Sequence, residues 1–161
     1  MIFLNNLTAA LYSKKYIFFH AINSRVATLI FLNNHINLLE LHLSDCLNIT
    51  IPKELNLPRI EKLNISYNPK IDQTCLTTIA QFTTLKSLDL SGDYTVNPED
   101  LHQLQTLPCL EELYLFTHLI HTPESPINIT SLFPHAKKIG YCNRFVVNEV
   151  ITSIAEGYIA Q

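Results

Sequence analysis

Apolar residues recur along this chain in one fixed phrase: apolar, two variable, apolar, one variable, apolar. It is written at Leu38-x-x-Leu41-x-Leu43, Ile60-x-x-Leu63-x-Ile65, Leu85-x-x-Leu88-x-Leu90 and Leu110-x-x-Leu113-x-Leu115, and more faintly at Ala136-x-x-Ile139-x-Tyr141. The phrases start at 38, 60, 85, 110 and 136, so they stand 22, 25, 25 and 26 residues apart. Alternation at Leu41/Leu43, Leu63/Ile65, Leu88/Leu90 and Leu113/Leu115 is the period-two signature of a short strand with one buried face. A recurrence of 20 to 50 residues marks a stacked architecture, in which no unit can bury its own face and neighbours supply the core.

The segments between the strands follow another rule. Leu76, Ile79 and Ala80 form the inward stripe of a short helix, with Asp72 and Thr74 as suitable starting caps. Asn97-Pro98-Glu99-Asp100 followed by Leu101, Leu104 and Leu107 repeats that grammar, with Pro98 tolerated in a first turn. Strand, turn, helix and return make each unit a right-handed crossover between parallel strands.

Over roughly residues 36–145 this ladder resembles the leucine-rich-repeat family. The stretch "ITIPKELNLPRIEKLNISYN" is similar to its IP-x-x-L variant, and "IDQTCLTTIAQFTTLKSLDL" resembles the longer helix-bearing repeats of F-box-type and ribonuclease-inhibitor-like proteins. The resemblance implies an α/β solenoid with a curved parallel sheet on the concave side and helices or 3₁₀ turns on the convex side. It also assigns the position after each phrase, held here by Cys46, Asn68, Asp93 and His118, to satisfying backbone groups in the turn. His118 departs from the usual small polar residue and reads as a turn-filling histidine.

Composition agrees with a folded chain. Of 161 residues, 47% are hydrophobic and 16% charged, with a net charge of −3. That balance offers no footprint for a phosphate backbone, so no nucleic-acid partner is expected. Tyr16–Phe19 is too short an apolar run to span a bilayer, and no cleavable secretory signal is legible. Cys46, Cys75, Cys109 and Cys142 form no CxxC pair and read as reduced thiols, which sets the expected compartment as cytoplasmic. Four N-x-S/T triplets, at Asn6, Asn48, Asn64 and Asn128, are read as chance in an Asn-rich chain.

The variable positions between ladder leucines face the concave side. One row reads Glu40, Lys62, Ser87, Glu112, Lys138; the central row His42, Asn64, Asp89, Tyr114, Gly140; the third Ser44, Ser66, Ser91, Phe116, Cys142. The first half is small and polar, while the second gathers aromatics beside carboxylates and lysines. Exposed aromatics on a rigid sheet are the stuff of binding hot spots. The expected protein-binding set is therefore His42, Asn64, Asp89, Glu112, Tyr114, Phe116, Lys138 and Cys142. A competing reading has Phe116 packed beneath the "HLIHTPESPIN" excursion. Catalysis finds no support: Cys142 with His118 or His135 lacks a motif, and His42 and Asp89 lie two strands apart, about 10 Å at the usual strand spacing. Three glycines build no phosphate-cradling loop, and no cofactor or metal is implied.

Both ends of a solenoid need covering. Val150, Ile151, Ile154, Ala155 and Tyr158 have helical spacing, so residues 145–161 are expected to form a capping helix starting near Asn148. Residues 1–37 are expected to form a helical cap or degenerate repeat, since Phe19, Ile22, Val26, Leu29 and Ile30 are helically spaced and "IFLNN" occurs at both Ile2–Asn6 and Ile30–Asn34. Residues 38–144 hold about five repeats. The sequence thus predicts a monomeric, non-enzymatic module that binds a protein partner. Its richness in Ile and Asn is loosely similar in style to short repeat effectors that intracellular bacteria deliver into host cells, which would make the partner a host protein. The alternatives are a structural or oligomer-forming unit, or a substrate adaptor of the ubiquitin-ligase type.

Overall fold

The computed structural model describes residues 18–20, 29–92, 96–115, 129–141, 144–147 and 150–153. The repeated phrase becomes one sheet. Strands β1 (Phe18–His20), β2 (Glu40–His42), β3 (Lys62–Asn64), β4 (Ser87–Asp89), β5 (Glu112–Leu115) and β6 (Lys138–Tyr141) pair in chain order and run parallel. Strands β7 (Arg144–Val147) and β8 (Val150–Ser153) then add an antiparallel hairpin, giving eight strands in sequential order. Phe19, Leu41, Leu63, Leu88, Leu113 and Ile139 are register partners and form one continuous column. From Leu41 to Ile139 that column is buried, with the columns of Leu38/Ile60/Leu85/Leu110 and Leu43/Ile65/Leu90/Leu115 beside it. The chain is an α/β leucine-rich-repeat solenoid.

Repeat length decides what returns the chain. The 22-residue unit from Leu38 to Ile60 uses turns alone, closed by Leu55 N–H to Pro52 O and Ile60 N–H to Leu57 O, and buries Ile49, Ile51, Leu55 and Leu57. Longer units have room for helices. Helix α1 (Gln73–Ile79) starts where the Asp72 carboxylate accepts the Cys75 N–H at 3.0 Å, and it buries Cys75, Leu76 and Ile79. Residues Pro98–Thr106 form a 3₁₀ helix, which the strict spacing of three in Leu101, Leu104 and Leu107 explains. At three residues per turn those side chains eclipse one another, and all three are buried. The two helical segments pack together, with the Thr77 hydroxyl 2.6 Å from Gln103 Oε1. Packed helices stand about 8–10 Å apart and paired strands about 4.7–4.9 Å, so the helical side is the longer and the sheet lies inside the bend. A four-residue helix, α2 (Ile129–Leu132), precedes β6.

The polar turn position does what the ladder needs. Asn68, fully buried, donates from Nδ2 to Leu43 O at 2.7 Å and to Ile65 O, and its Oδ1 accepts the Cys46 N–H at 2.7 Å. It stitches two consecutive turns. These two turns and the next one each pass through the left-handed region, at Asp45 (φ 56), Tyr67 (φ 58) and Gly92 (φ 74). Only glycine enters that region without a steric cost. At Gly92 the freedom serves twice, since an added Cβ would collide with Cδ1 of the Tyr67 ring.

Two expectations are corrected at the ends. The N-terminal helical reading of Phe19 gives way to strand β1, which belongs to a degenerate rung 22 positions before β2 by the Phe18↔Glu40 pairing. The second "IFLNN" is a 3₁₀ helix, Ile30–Asn34, whose Asn33 clamps the next repeat through Glu54 O and the Asn56 N–H, both at 2.8 Å. The capping helix expected over 145–161 is replaced, within its described part, by β7 and β8. Val146, Val147, Val150, Ile151 and Thr152 are β-branched, and β6 offers an edge of backbone donors and acceptors for β7 to satisfy. No helix among the described residues is long and apolar enough to cross a membrane.

Candidate protein-interaction surface

Because buried leucines alternate with the variable positions, every second residue of β2 to β6 is delivered to the concave face in fixed rows. Register places Glu40, Lys62, Ser87, Glu112 and Lys138 in one row and His42, Asn64, Asp89, Tyr114 and Gly140 in the next. Phe116 and Cys142, expected to continue the third row after Ser44, Ser66 and Ser91, lie outside the described residues, as do His118 and the 118–128 excursion.

In the first row, Lys62 Nζ meets Glu40 Oε1 at 2.9 Å, and the hydrogen bond and charge of Glu40 hold the lysine's pKa up. His42 Nε2 lies 3.7 Å from the other oxygen of Glu40. Farther along, Glu112 Oε2 accepts from the Ser87 hydroxyl at 3.1 Å and from the Tyr114 hydroxyl at 3.2 Å. Lys138 Nζ stands 5.3 Å from the centroid of the Tyr114 ring, within cation–π reach. Burial pushes the Tyr114 hydroxyl above its ordinary pKa, so it stays a donor at neutral pH. Glu112, Tyr114 and Lys138 therefore form one contact cluster in which the ring is gripped at its hydroxyl and its face.

The central row is quieter and more buried. Asn64 Oδ1 accepts from both the amide and the hydroxyl of Ser66, at 3.0 and 2.8 Å, and its Nδ2 donates to Asp89 Oδ2 at 3.2 Å. Asp89 Oδ1 accepts the Ser91 amide at 2.9 Å. Burial raises the Asp89 pKa, with the Ser91 hydrogen bonds and the charge of His42 acting against it. The serine row joins in, Ser44 and Ser66 hydroxyls being 3.0 Å apart.

Just before each of β3 to β6 runs a second charged line. Glu61 pairs with Lys86 at 3.0 Å and Glu111 with Lys137 at 2.8 Å, the lysine holding the Glu111 carboxyl below its usual range.

The strand register matches the first two expected rows, and β3 separates His42 from Asp89, with Asn64 between them. Sequence reasoning missed the serine lane as a structural partner, and it missed Tyr67, a half-exposed ring lying on Gly92. The signal for Tyr67 was present, because Gly92 occupies the matching turn position one repeat later. Among the described cysteines, Cys46 and Cys75 are buried thiols and Cys109 is exposed; burial pushes the Cys75 thiol up, away from reactivity. No group of three or more His, Cys, Asp or Glu side chains among the described residues is placed to hold a metal ion.

No family model and no curated protein matches the chain. Among solved structures it is similar to internalin C2 from Listeria monocytogenes, at 25% identity and a TM-score of 0.59, covering 78% of this chain and 51% of that one. A second internalin of the same organism (inlF) aligns at 20% identity and a TM-score of 0.48, over 73% of this chain and 39% of that one. The chain thus spans about half the length, or less, of these solved proteins.

Proposed function

We propose that this chain is a non-catalytic recognition module that binds a protein partner through its concave sheet, and that the partner is a host protein met by a bacterial effector. The observation that supports it best is the Glu112–Tyr114–Lys138 cluster. A tyrosine held at both hydroxyl and ring presents amphipathic area with little rotamer entropy left to lose on binding. The likeness to internalin C2 supports the scaffold half of the reading, and the host setting rests on that likeness together with the composition.

Immobilised chain and its Tyr114→Ala variant, both checked for folding by circular dichroism, are used to capture proteins from host lysate, with mass spectrometry as the readout. A specific partner whose recovery drops about tenfold or more on Tyr114→Ala is the expected result, the size of an ordinary hot spot. Equal recovery by both proteins would exclude the Tyr114 cluster as the contact.

A further inference from the structure

We propose that Asp89, at the centre of the concave sheet, is the seat for a lysine or arginine side chain of the protein partner. This rests on the recognition reading above and names the partner chemistry at its centre.

The case begins with what surrounds the carboxylate. From just beyond its own strand Asp89 receives the Ser91 amide and hydroxyl, and from β3 the Asn64 side-chain amide. All are neutral donors. They fix the orientation of the group without cancelling its charge. The other charged groups on the flanking strands are committed in other directions. Lys62 on β3 is drawn to Glu40, and Lys138 on β6 sits over the Tyr114 ring. On β5, Glu112 is anionic and engaged with Ser87 and Tyr114. His42, on β2 one strand beyond Asn64, acts on Asp89 through charge, yet a histidine is a cation only when protonated. Asp89 is thus a partly buried anion, oriented by amides, with no lysine or arginine of its own fold upon it among the described residues.

A fold left to stability alone would prefer a neutral residue here, since a poorly compensated carboxylate in a desolvated position is unfavourable. An incoming cation changes the balance: charge-assisted hydrogen bonds are about twice as strong as neutral ones, and the desolvation is already in place. A carboxylate offers about four acceptor sites, so one remains beside the two amides and the Ser91 hydroxyl. The next residue in the row adds a second attraction. Tyr114 is the register partner of Asp89, and an aromatic ring beside a carboxylate is a general receptor for ammonium and guanidinium groups.

The probe is a blocked tetra-arginine peptide, with blocked tetra-citrulline as its uncharged isostere, titrated into the isotopically labelled full chain and followed by amide NMR. The Ser91 amide and the Asn64 side-chain amide should shift saturably with tetra-arginine and stay still with tetra-citrulline. Asp89→Asn should weaken the response about tenfold or more, and Glu111→Gln, outside the concave rows, should leave it within about twofold. Shifts scattered over the surface, or persisting in Asp89→Asn, overturn the proposal. Should Asp89→Asn not fold, the wild-type titration is repeated at falling pH while the Asp89 carboxyl carbon reports its own protonation. Binding that survives neutralisation of Asp89 overturns it equally. The two readings fail separately: partner capture lost on Tyr114→Ala without an Asp89 response removes the cation seat alone, whereas a local, Asp89-dependent response with capture indifferent to Tyr114 supports the seat and removes the Tyr114 contact.

Discussion

Replacing Asn68 by alanine should be among the most damaging single changes available to this solenoid, although it deletes only a few heavy atoms. The side chain is fully buried and serves three backbone groups at close range: Leu43 O, Ile65 O and the Cys46 N–H. Alanine abandons all three in a dry interior. Each orphaned group costs about 1–3 kcal/mol, and partial relaxation favours the lower half, so the loss should come to about 3–5 kcal/mol. Against a usual total of about 5–15 kcal/mol that is a large share, and at about 2–4 °C per kcal/mol it lowers the melting temperature by roughly 6–20 °C. Urea denaturation followed by far-UV circular dichroism measures it as a shift in midpoint at constant slope. Hydrogen exchange locates it: the Cys46 amide, which donates to Asn68, should lose protection first. Asn68→Asp separates hydrogen bonding from packing. It keeps shape and the acceptor for Cys46, yet turns an oxygen toward the carbonyls of Leu43 and Ile65 where a donor stood. If the bonds matter, the aspartate is as harmful as alanine. A loss below about 1 kcal/mol in Asn68→Ala, or a benign Asn68→Asp, would show that the turns are held by other means.

Gly92→Ala should cost about 1–2 kcal/mol from its left-handed backbone, plus a steric part from the Tyr67 ring. A double-mutant cycle with Tyr67→Ala should recover the steric part and leave the backbone part; strict additivity would mean the ring does not lie where it is described. Asp89→Asn should gain stability at pH 7 relative to pH 3 when compared with the wild-type chain, on top of a pH-independent cost from turning an amide N–H toward the Ser91 or Asn64 donor. Its folded pKa is raised above the ordinary 3.8, so the folded state is relatively favoured once Asp89 is protonated and that advantage is lost as pH rises through the folded value. The gain from the substitution should therefore be full at pH 7 and gone below the unfolded pKa, as denaturation midpoints at pH 7 and pH 3 would reveal. A gain that grows toward acid contradicts the assignment.

The central repeats were legible because two signals coincide there. Leu41, Leu63, Leu88 and Leu113 fall in a period-two pattern and recur at the repeat length, and a register slip of one residue would expose all of them. Even the type of return segment was written in spacing, three-fold in Leu101, Leu104 and Leu107, although the sequence reading made that segment a helix without distinguishing 3₁₀ from α. The ends were not legible in the same way. Phe19 fits a helical stripe with Ile22 and Val26 as well as a strand, and only the pairing with Leu41 decides. Val150 and Ile151 likewise fit a helix, but once β7 has paired with the edge of β6, these β-branched residues find a better place in β8 beside it. Within the surface, the rows followed from alternation. The partner choices did not: that Tyr114 bonds Glu112 while Asn64 bonds Asp89 depends on side-chain rotamers set by neighbours a whole repeat away.

The charged line ahead of the strands alternates in sign, Glu61, Lys86, Glu111, Lys137. Its period is therefore two coils of the superhelix rather than one. Copying a single coil during the growth of such a gene would set glutamate against glutamate or lysine against lysine at the seam, whereas copying two in tandem would preserve the alternation. Each exposed pair weighs little, because solvent screens it. Over repeated duplications that small bias favours lengthening in even steps.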